Sequence, residues 1–347
     1  MIRRYLSKLR MAFRRLFGSF TTVDRVQAEV DALYRFLYVA IHDPDRAPDL
    51  ASFQTRDAFG FQWDRLADGQ LMLNDPWFRE NVTRILCEQE LMLPSAWFAG
   101  KEVLDCGSGG GRWSYGFAKL GANVTAVDVN TSAIEATKKA IEPFSVRKTF
   151  VVSPLESLSE HIPSERRFDV VFSWGVLHHC RSFTGSLHEI SKYVKDGGLL
   201  YLFLYGREPC GFQEELEIFK QRIHFNSLPS WEEREAFLML KAGGNAAKMN
   251  KKHDKLAPLI NRRLEFPYVR DQLLELGFSK VELTKRQQPS WTEAQKIGGT
   301  RNLFIRAIKG DPKALENAFL PEPEPPYWFW KYRRPDIADQ EIFRSRD

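Results

Sequence analysis

The sequence predicts an α/β fold in which a parallel sheet carries helices on both faces. From Lys101 onward, short apolar runs typical of buried strands alternate with amphipathic helical segments. Such repetition is typical of a parallel sheet, because each crossover helix covers one of its faces. A helical N-terminal region is expected before the alternation, and a charged helical insertion follows the fifth strand.

Seven segments have the length and apolar content of strands, and each of the first four is followed by a helix-like connection. A further helix, predicted over 268–276, precedes the last two strands. The predicted strands are 102–106, 123–129, 149–153, 168–174, 198–205, 280–285 and 302–308.

Composition divides the chain into four parts. We expect an amphipathic basic helix over 1–23 and a helical region over 24–95, which contains the aromatic run Phe59-Gly60-Phe61-Gln62-Trp63. The sheet domain is expected over 96–310, with the insertion over 206–265 as a lid for the substrate. Over 311–347 we expect a Pro-rich connector, either a stiff spacer or a loosely ordered segment, and a tail.

The net charge of +5 is concentrated at the N-terminus. Residues 1–23 contain six basic and no acidic side chains, so the 50 basic and 45 acidic residues of the chain are otherwise nearly balanced. This balance argues against nucleic acid as a partner. The six basic residues are Arg3, Arg4, Lys8, Arg10, Arg14 and Arg15.

On a helical projection, the basic and apolar residues of 1–20 occupy opposite arcs. Such a helix could lie on an anionic membrane surface as a peripheral contact. It could equally pack on the protein itself, since amphipathicity does not separate the two cases. A mitochondrial transit peptide is a third interpretation, which the scarcity of Ser and Thr disfavours.

The cysteine pattern predicts a protein without disulfides or a metal site. None of the four cysteines forms a CxxC pair, and no His and carboxylate cluster has metal-ligand spacing. Free thiols are typical of a reducing compartment, so we expect a cytoplasmic protein. The cysteines are Cys87, Cys106, Cys180 and Cys210.

A glycine-rich turn follows the first predicted strand and begins a helix. It runs from Asp105 through Gly107, Ser108, Gly109 and Gly111, and so matches D-x-G-x-G-x-G. Glycines let the backbone approach a ligand, and the helix N-terminus offers free N–H groups. A dinucleotide fingerprint would place its third glycine at position 112, which is arginine here. The loop therefore suits the amino-acid end of S-adenosylmethionine.

A second acidic residue, Asp128, lies at the carboxyl end of the second predicted strand, 23 residues after Asp105. A carboxylate at about this distance from a glycine turn can bind both hydroxyls of a ribose. An aspartate at the end of a strand also often just begins a turn. Coupled to the glycine loop, the ribose role is the favoured interpretation.

The segment 101–206 resembles the class I S-adenosylmethionine-dependent methyltransferases. Asp105 to Gly111 is similar to their motif I, and Asp128 to their acid after strand two. The run 168–179, which ends in Leu-His-His, resembles their strand-four motif, and 196–198 is similar to their turn before strand five. After strand three, however, the chain has Ser-Pro-Leu-Glu over 153–156 in place of the aspartate that often contacts adenine.

The resemblance implies a Rossmann-like sheet of seven mostly parallel strands, with the last antiparallel, and S-adenosyl-L-methionine as cofactor. The implied cofactor-binding residues are Asp105, Gly107, Ser108, Gly109, Gly111, Arg112, Asp128, Val129, Leu155 and Trp174, with Leu155 as a packing surface for adenine. The run 59–63 and the run 253–258 show a looser resemblance to bacterial methyltransferases of glycan and nucleotide-sugar pathways.

Histidines are the candidate catalytic groups, because a hydroxyl acceptor needs a base with a pKa near neutrality. His178 and His179 follow strand four, whose carboxyl end borders the ligand crevice in such sheets. We prefer His179, with His178 and, in the insertion, His253 as alternatives. Each could instead pack against or cap a helix.

The sequence leaves the acceptor open. Basic residues of the insertion favour an anionic small molecule or glycan acceptor. We expect O-methylation of a glycan, a nucleotide-sugar or a related metabolite. RNA-directed or lipid and quinone methylation, and a non-catalytic partner subunit, are the alternatives. The basic residues are Lys248, Lys251, Lys252, Lys255, Arg262 and Arg263.

Overall fold

The computed structural model describes residues 22–41, 45, 47, 49–66, 71–207, 212–284 and 302–321. The basic helix expected over 1–23 lies outside this range except for its last two residues. Cys210 and most of the Pro-rich connector and tail also lie outside it.

Seven strands of the described chain form one sheet in the order β3-β2-β1-β4-β5-β7-β6. Strands β1 to β5 pair in parallel, and β7 runs antiparallel to both β5 and β6. The predicted fold class is confirmed. The strands are β1 Glu102–Cys106, β2 Asn123–Asp128, β3 Lys148–Val152, β4 Phe168–Trp174, β5 Val194–Tyr205, β6 Phe278–Leu283 and β7 Asn302–Lys309.

Helices cover both faces of the sheet and form a separate layer at its carboxyl edge. They are α1 Thr22–Ile41, α2 Asp49–Arg65, α3 Leu71–Asn74, α4 Pro76–Ile85, α5 Arg112–Lys119, α6 Thr131–Ile141, α7 Phe183–Lys192, α8 Phe212–Ser227, α9 Trp231–Lys241, α10 Met249–Leu256, α11 Phe266–Glu275 and α12 Lys313–Glu316. Helix α4 continues into a π-helical turn, Leu86–Glu90. Short 3₁₀ turns are Ser95–Phe98, Leu155–Glu160, Leu177–His179 and Ala246–Lys248.

Each face of the sheet has its own apolar core. One core joins α4 and α5 to the inner strands through residues such as Val82, Phe117 and Phe172. The other joins α7 and α11 to the opposite face through residues such as Leu187 and Leu273. A sheet that is buried on both faces explains the continuous apolar runs of the predicted strands.

Helix α2 packs against the insertion to form the layer above the carboxyl edge. Gln54 fastens the two together, because its Nε2 donates to Asn226 Oδ1 (3.1 Å) and to the Ala257 carbonyl (2.9 Å). Its Oε1 accepts from the Leu259 N–H at 2.8 Å. Apolar residues of both parts, Phe61 among them, form a third core.

Strands β2 and β3 lie on one side of β1, and β4 lies on its other side. The direction in which successive strands are added to the sheet therefore reverses between β1 and β4. Ligands of open α/β sheets bind at such a switch point, beyond the carboxyl ends of the strands. The glycine loop leaves β1 at this place. No described helix is long and apolar enough to cross a bilayer.

Candidate active site

The glycine loop has a left-handed backbone at three positions, Gly107, Gly109 and Gly111. Gly107 and Gly109 have φ values of +83° and +52°. A Cβ on Gly107 would lie 2.3 Å from Val176, and one on Gly109 would lie 2.5 Å from the Trp63 ring. Contacts this short do not occur in proteins, so these glycines keep the backbone close to its surroundings.

Backbone and side-chain hydrogen bonds hold the loop against β2. The N–H groups of Gly107 and Ser108 both donate to the Val127 carbonyl, at 2.7 and 2.9 Å. Thr137 Oγ1 lies 3.1 Å from Ser108 Oγ and donates to the Gly109 carbonyl at 3.0 Å. The loop is therefore rigidly placed by its own chain.

Asp105 is buried beneath the loop at the end of β1. Its Oδ2 accepts from Ser114 Oγ at 2.6 Å. Burial, with the nearby Asp128 charge, raises the pKa of Asp105 to about 6, although the Ser114 hydrogen bond opposes the rise. A buried carboxylate in this state is stabilised by a cation, so the site suits an ammonium group.

Asp128 ends β2 beside the loop, where the sequence places it. Its Oδ2 accepts from the Gly109 N–H and its Oδ1 from the Asn130 N–H, both at 2.9 Å. Burial raises its pKa, which these backbone hydrogen bonds counteract. Each carboxylate oxygen keeps a lone pair for a further donor, and Val129 follows as a half-buried neighbour.

The predicted adenine side is apolar. Leu155 is buried in the same core as Val127 and Leu158, consistent with a packing surface. The Ser153 N–H donates to the Asp128 carbonyl at 3.0 Å, and its hydroxyl donates to the Pro154 carbonyl at 2.8 Å. The Ser153 hydroxyl, in the run that replaces the usual aspartate, thus donates its hydrogen bond to the adjacent residue of its own chain.

Helix α2 covers the glycine loop, a placement that the sequence did not reveal. The Trp63 ring lies directly over Gly109, and a Cβ on Gly60 would lie 3.4 Å from Asn130 Oδ1. Phe59 contacts the His179 ring edge-on, with centroids 4.9 Å apart. The glycine in the middle of the aromatic helix was the available signal, because it permits this close approach.

Arg112 and Trp174 meet at the entrance to α5. The guanidinium carbon of Arg112 lies 4.1 Å from the Trp174 ring centroid and 5.1 Å from that of Trp113. Burial lowers the pKa of Arg112 to about 10, although Asp254 and Glu90 oppose this change. Arg112 remains protonated, so it offers a positive charge beside the loop.

His179 has a defined tautomer. Its Nδ1 lies 2.7 Å from the carbonyl oxygen of Ile260, which can only accept, so Nδ1 carries the proton. Nε2 is then the unprotonated nitrogen. Burial lowers the pKa of His179 to about 3, although the Ile260 hydrogen bond opposes the change. The imidazole is therefore neutral at physiological pH, and its pKa lies well below the near-neutral value that the sequence analysis expected of the base.

The other two candidate histidines are fully buried. His178 packs on Tyr205 (centroids 4.0 Å apart) and on His179 (4.1 Å), and burial lowers its pKa well below the usual range. His253 instead lies between Phe61 (5.8 Å) and Phe225 (6.0 Å) in the helical layer. The structure thus brings His178 and His179 together with Tyr205. His253 packs separately, between two phenylalanines of the helical layer.

The basic residues of the insertion do not converge on a ligand site. Arg262 donates to the carbonyls of Cys180, Asp45 and Arg181, the last two at 2.7 Å. Arg263 lies over the Tyr205 ring at 5.0 Å. The other predicted members are the exposed Lys248, the half-buried Lys252 and Lys255, and Lys251, whose side chain lies outside the described residues.

Within the described ranges, no group of three or more His, Cys, Asp or Glu side chains could hold a metal ion.

Comparison with known families identifies the central part of the chain. Residues 104–202 match the family model described as "Methyltransferase domain". This range extends from β1 through most of β5 and contains the glycine loop and Asp128. The match agrees with the methyltransferase resemblance expected for 101–206, and the bounds of the domain stay a prediction.

Curated relatives match a similar portion. The chain is 33% identical over 114 residues to a ubiquinone biosynthesis O-methyltransferase of Dechloromonas aromatica, covering 33% of this chain and 48% of the relative. It is 35% identical over 130 residues to the mitochondrial ubiquinone biosynthesis O-methyltransferase of Schizosaccharomyces pombe, covering 37% and 46%. The chain thus spans about half the length of the curated relatives it matches.

Solved methyltransferase structures align over more of the chain at low identity. The 1,6-didemethyltoxoflavin-N1-methyltransferase of Burkholderia thailandensis has a TM-score of 0.46 and 18% identity, covering 78% of this chain and 94% of that one. The magnesium protoporphyrin IX methyltransferase of Synechocystis has a TM-score of 0.44 and 14% identity, covering 74% and 98%.

Proposed function

We propose that the protein transfers a methyl group from S-adenosylmethionine to a hydroxyl group of a small molecule. The observation that carries this proposal is the glycine loop at the switch point of the sheet. The Asp128 carboxylate accepts a hydrogen bond from the Gly109 N–H of this loop, and the Trp63 ring covers Gly109. The methyltransferase match over 104–202 supports it independently.

The residues at the loop fit the cofactor. Asp105 would hold its ammonium group and Asp128 its ribose hydroxyls. Leu155 offers an apolar surface to adenine, and the charged Arg112 suits the carboxylate of the amino-acid end. When bound, S-adenosylmethionine supplies a methyl group already activated on a sulfonium sulfur. The chain's own task is then to exclude water and to place the acceptor in line with that methyl.

His179 is the proposed base for the acceptor hydroxyl. Its Nδ1 is committed to the Ile260 carbonyl, which leaves Nε2 as an acceptor for a proton. It follows β4, at the carboxyl edge where the glycine loop also lies. His178 and Tyr205 pack against it and fix the ring orientation.

The curated relatives favour an aromatic acceptor over a glycan. Their names place them in ubiquinone biosynthesis and describe them as O-methyltransferases. We therefore propose a hydroxylated aromatic compound of the quinone-precursor type. Glycan and nucleotide-sugar acceptors have only the loose sequence resemblance in their favour. Contact of residues 1–20 with a membrane and a cytoplasmic location remain predictions.

Calorimetry with S-adenosylhomocysteine tests the cofactor assignment. Asp128→Ala should weaken binding about ten- to a hundredfold, because hydrogen bonds to a charged group contribute roughly 1.5–3 kcal/mol. Asp271→Ala is the matched control, since Asp271 is exposed and pairs with the adjacent Arg270. A wild-type protein that does not bind S-adenosylhomocysteine would refute the proposed function.

The acceptor class is tested by incubating the protein with methyl-labelled S-adenosylmethionine and either catechol or UDP-glucose. We expect label in catechol. Label in UDP-glucose alone would show that the glycan interpretation is the correct one.

A further inference from the structure

Buried oxygen atoms without a hydrogen-bond partner occur on the insertion and on the helix α2 that packs against it. Within the described chain, Gln62 Oε1, Asn250 Oδ1, Asp254 Oδ1 and Asn261 Oδ1 are buried and have no such partner. We name these four residues the lid pocket. We propose that the lid pocket is the acceptor subsite, and that it takes neutral groups that donate hydrogen bonds, such as phenolic hydroxyls, rather than anions.

This inference deepens the proposed function and rests on it. The anionic acceptor expected from the basic residues of the insertion is replaced by a neutral donor.

Asp254 is the centre of the lid pocket. Asn250 and Asp254 are one turn apart on α10 and so share a face of the helix. The Gln62 side chain, from α2, lies near the Asp254 carboxylate and favours its charged form. Asn261 Nδ2 donates to the Asp254 carbonyl at 3.4 Å. Two separate elements, α2 and the insertion, therefore converge on one carboxylate.

The lid pocket adjoins the proposed cofactor loop. Arg112 directly follows the loop. Among the charges that favour its protonated form, that of Asp254 has the largest effect. Tyr205, at the end of β5, also interacts with both Asp254 and Arg112. On the other side, Gln62 precedes Trp63, whose ring covers Gly109. An acceptor that reaches Asp254 thus lies between the glycine loop and the lid.

The chemistry of the unpaired atoms selects the ligand. All four are side-chain oxygens that accept hydrogen bonds, and one belongs to a carboxylate. A buried acceptor without a partner is unfavourable, so a ligand that donates is favoured there. A phosphate or carboxylate would instead bring a second negative charge beside Asp254.

The walls near the lid pocket suit an aromatic ring. Trp174 and Phe203 lie with ring centroids 4.2 Å apart, and Tyr205 packs on Phe203 at 5.8 Å. Arg112 covers the Trp174 face. A phenol or catechol combines an apolar ring with donor hydroxyls, so it matches both the walls and the lid pocket.

Ionisation of Asp254 gives the subsite a pH dependence. Burial raises the pKa of Asp254 to about 6, while the Gln62 side chain and the Arg112 charge oppose the rise. Arg112 from α5, Gln62 from α2 and Tyr205 from β5 are the groups facing it. Above pH 6 the ionised carboxylate accepts strongly from a hydroxyl, and below pH 6 this interaction weakens.

Binding of two probes in the presence of S-adenosylhomocysteine tests the inference. Catechol is the neutral probe, and 3,4-dihydroxybenzoate carries the same hydroxyls with an added carboxylate. We expect the wild type to bind catechol about tenfold more tightly. Asp254→Asn should weaken catechol binding and raise its KM about tenfold at pH 7.5, since a hydrogen bond to a charged group becomes one to a neutral group. Saturating S-adenosylhomocysteine removes any effect that the change has on cofactor affinity through Arg112, and the control Asp271→Asn should behave as wild type.

The outcomes separate the two proposals. If the wild type does not bind S-adenosylhomocysteine, the proposed function fails. If it binds S-adenosylhomocysteine but binds 3,4-dihydroxybenzoate as tightly as catechol, or neither probe, the inference is overturned. Unchanged catechol binding in a folded Asp254→Asn variant also overturns it. Should that variant not fold, Asn250→Ala is the second test, and it should weaken catechol binding selectively.

Discussion

The two sides of the candidate active site differ in how completely their polar atoms are paired. On the sheet side, Asp105, the N–H groups of Gly107 and Gly109, and both oxygens of Asp128 all have partners within the chain. On the lid side, buried oxygens such as Asp254 Oδ1 lack one among the described residues. If the two proposals hold, the proposed cofactor side is preformed, whereas the proposed acceptor side is completed by its ligand.

The two sides also differ in how far apart their residues lie along the chain. Asp105 to Arg112 is one continuous segment of the chain, and Asp128 follows soon after. The contact between Gln62 and Asp254, in contrast, joins the N-terminal region to the insertion. The variants below separate the role of the glycine loop from those of His179, which follows β4, and His253, which lies in the insertion.

The largest expected effect is on the sheet side. Gly109→Val should lower affinity for S-adenosylhomocysteine by about a hundredfold or more, because the new side chain meets the Trp63 ring in a left-handed backbone conformation. Calorimetry measures it. Gly243→Val is the matched control, since Gly243 has φ +63° but no heavy atom within 4 Å of an added Cβ.

If Gly109→Val folds and binds S-adenosylhomocysteine like the wild type, the loop does not form the cofactor site. If Gly243→Val loses affinity equally, backbone strain alone accounts for the result.

A smaller effect is expected from the proposed base. His179→Ala should lower turnover of catechol about a hundredfold while leaving affinity for S-adenosylhomocysteine unchanged, as expected for lost proton transfer. His179 has a pKa of about 3, so its ionisation should add no limb to the pH–rate profile between pH 5 and 8. His161→Ala, at an exposed position, is the control.

Turnover that survives His179→Ala but is abolished by His253→Ala would assign the base to the insertion. Turnover that survives both changes would show that the acceptor needs no deprotonation by a histidine.

The sequence predicted the sheet side well because its signals are local. Strand periodicity placed β1 and β4 at their observed bounds, and glycine spacing identified the loop. Strand β5 begins at Val194, earlier than predicted, because Phe168 pairs with Val194 and Val170 with Leu199. The residues between these pairs, with Gly197 at φ +71°, bulge out of the ladder. They interrupt the apolar pattern, so the sequence does not show that the strand begins at Val194.

The lid side was not predictable in the same way. The charge of Arg262 suggested an anion site, yet its guanidinium bonds backbone carbonyls that only the folded chain brings together. The aromatic run around Trp63 gave no periodicity that showed which face covers the loop. Contacts between distant segments, such as Tyr201 with the buried Glu90, leave no pattern in a single sequence.

The smallest effect is expected from His253, whose surroundings predict a structural role. Its ring is fully buried, and neither nitrogen has a hydrogen-bond partner within the described ranges. Burial lowers its pKa to about 3, whereas the unfolded chain has the ordinary value of 6.5. Between these values the unfolded state binds more protons than the folded state, so His253 lowers stability progressively as the pH falls below 6.5.

Replacing His253 by leucine should therefore reduce the acid sensitivity of the fold. From pH 7.5 to pH 5, protonation of one such histidine in the unfolded chain costs about 2 kcal/mol of stability. Asp105 and Asp254 have raised pKa values and act in the opposite direction, but they are common to both proteins. Urea unfolding at the two pH values should show a loss about 2 kcal/mol smaller in His253→Leu than in the wild type. The exposed control His161→Leu should lose as much stability as the wild type does. If His253→Leu loses that same amount, then His253 is protonated in the folded protein, and is therefore solvated or paired there.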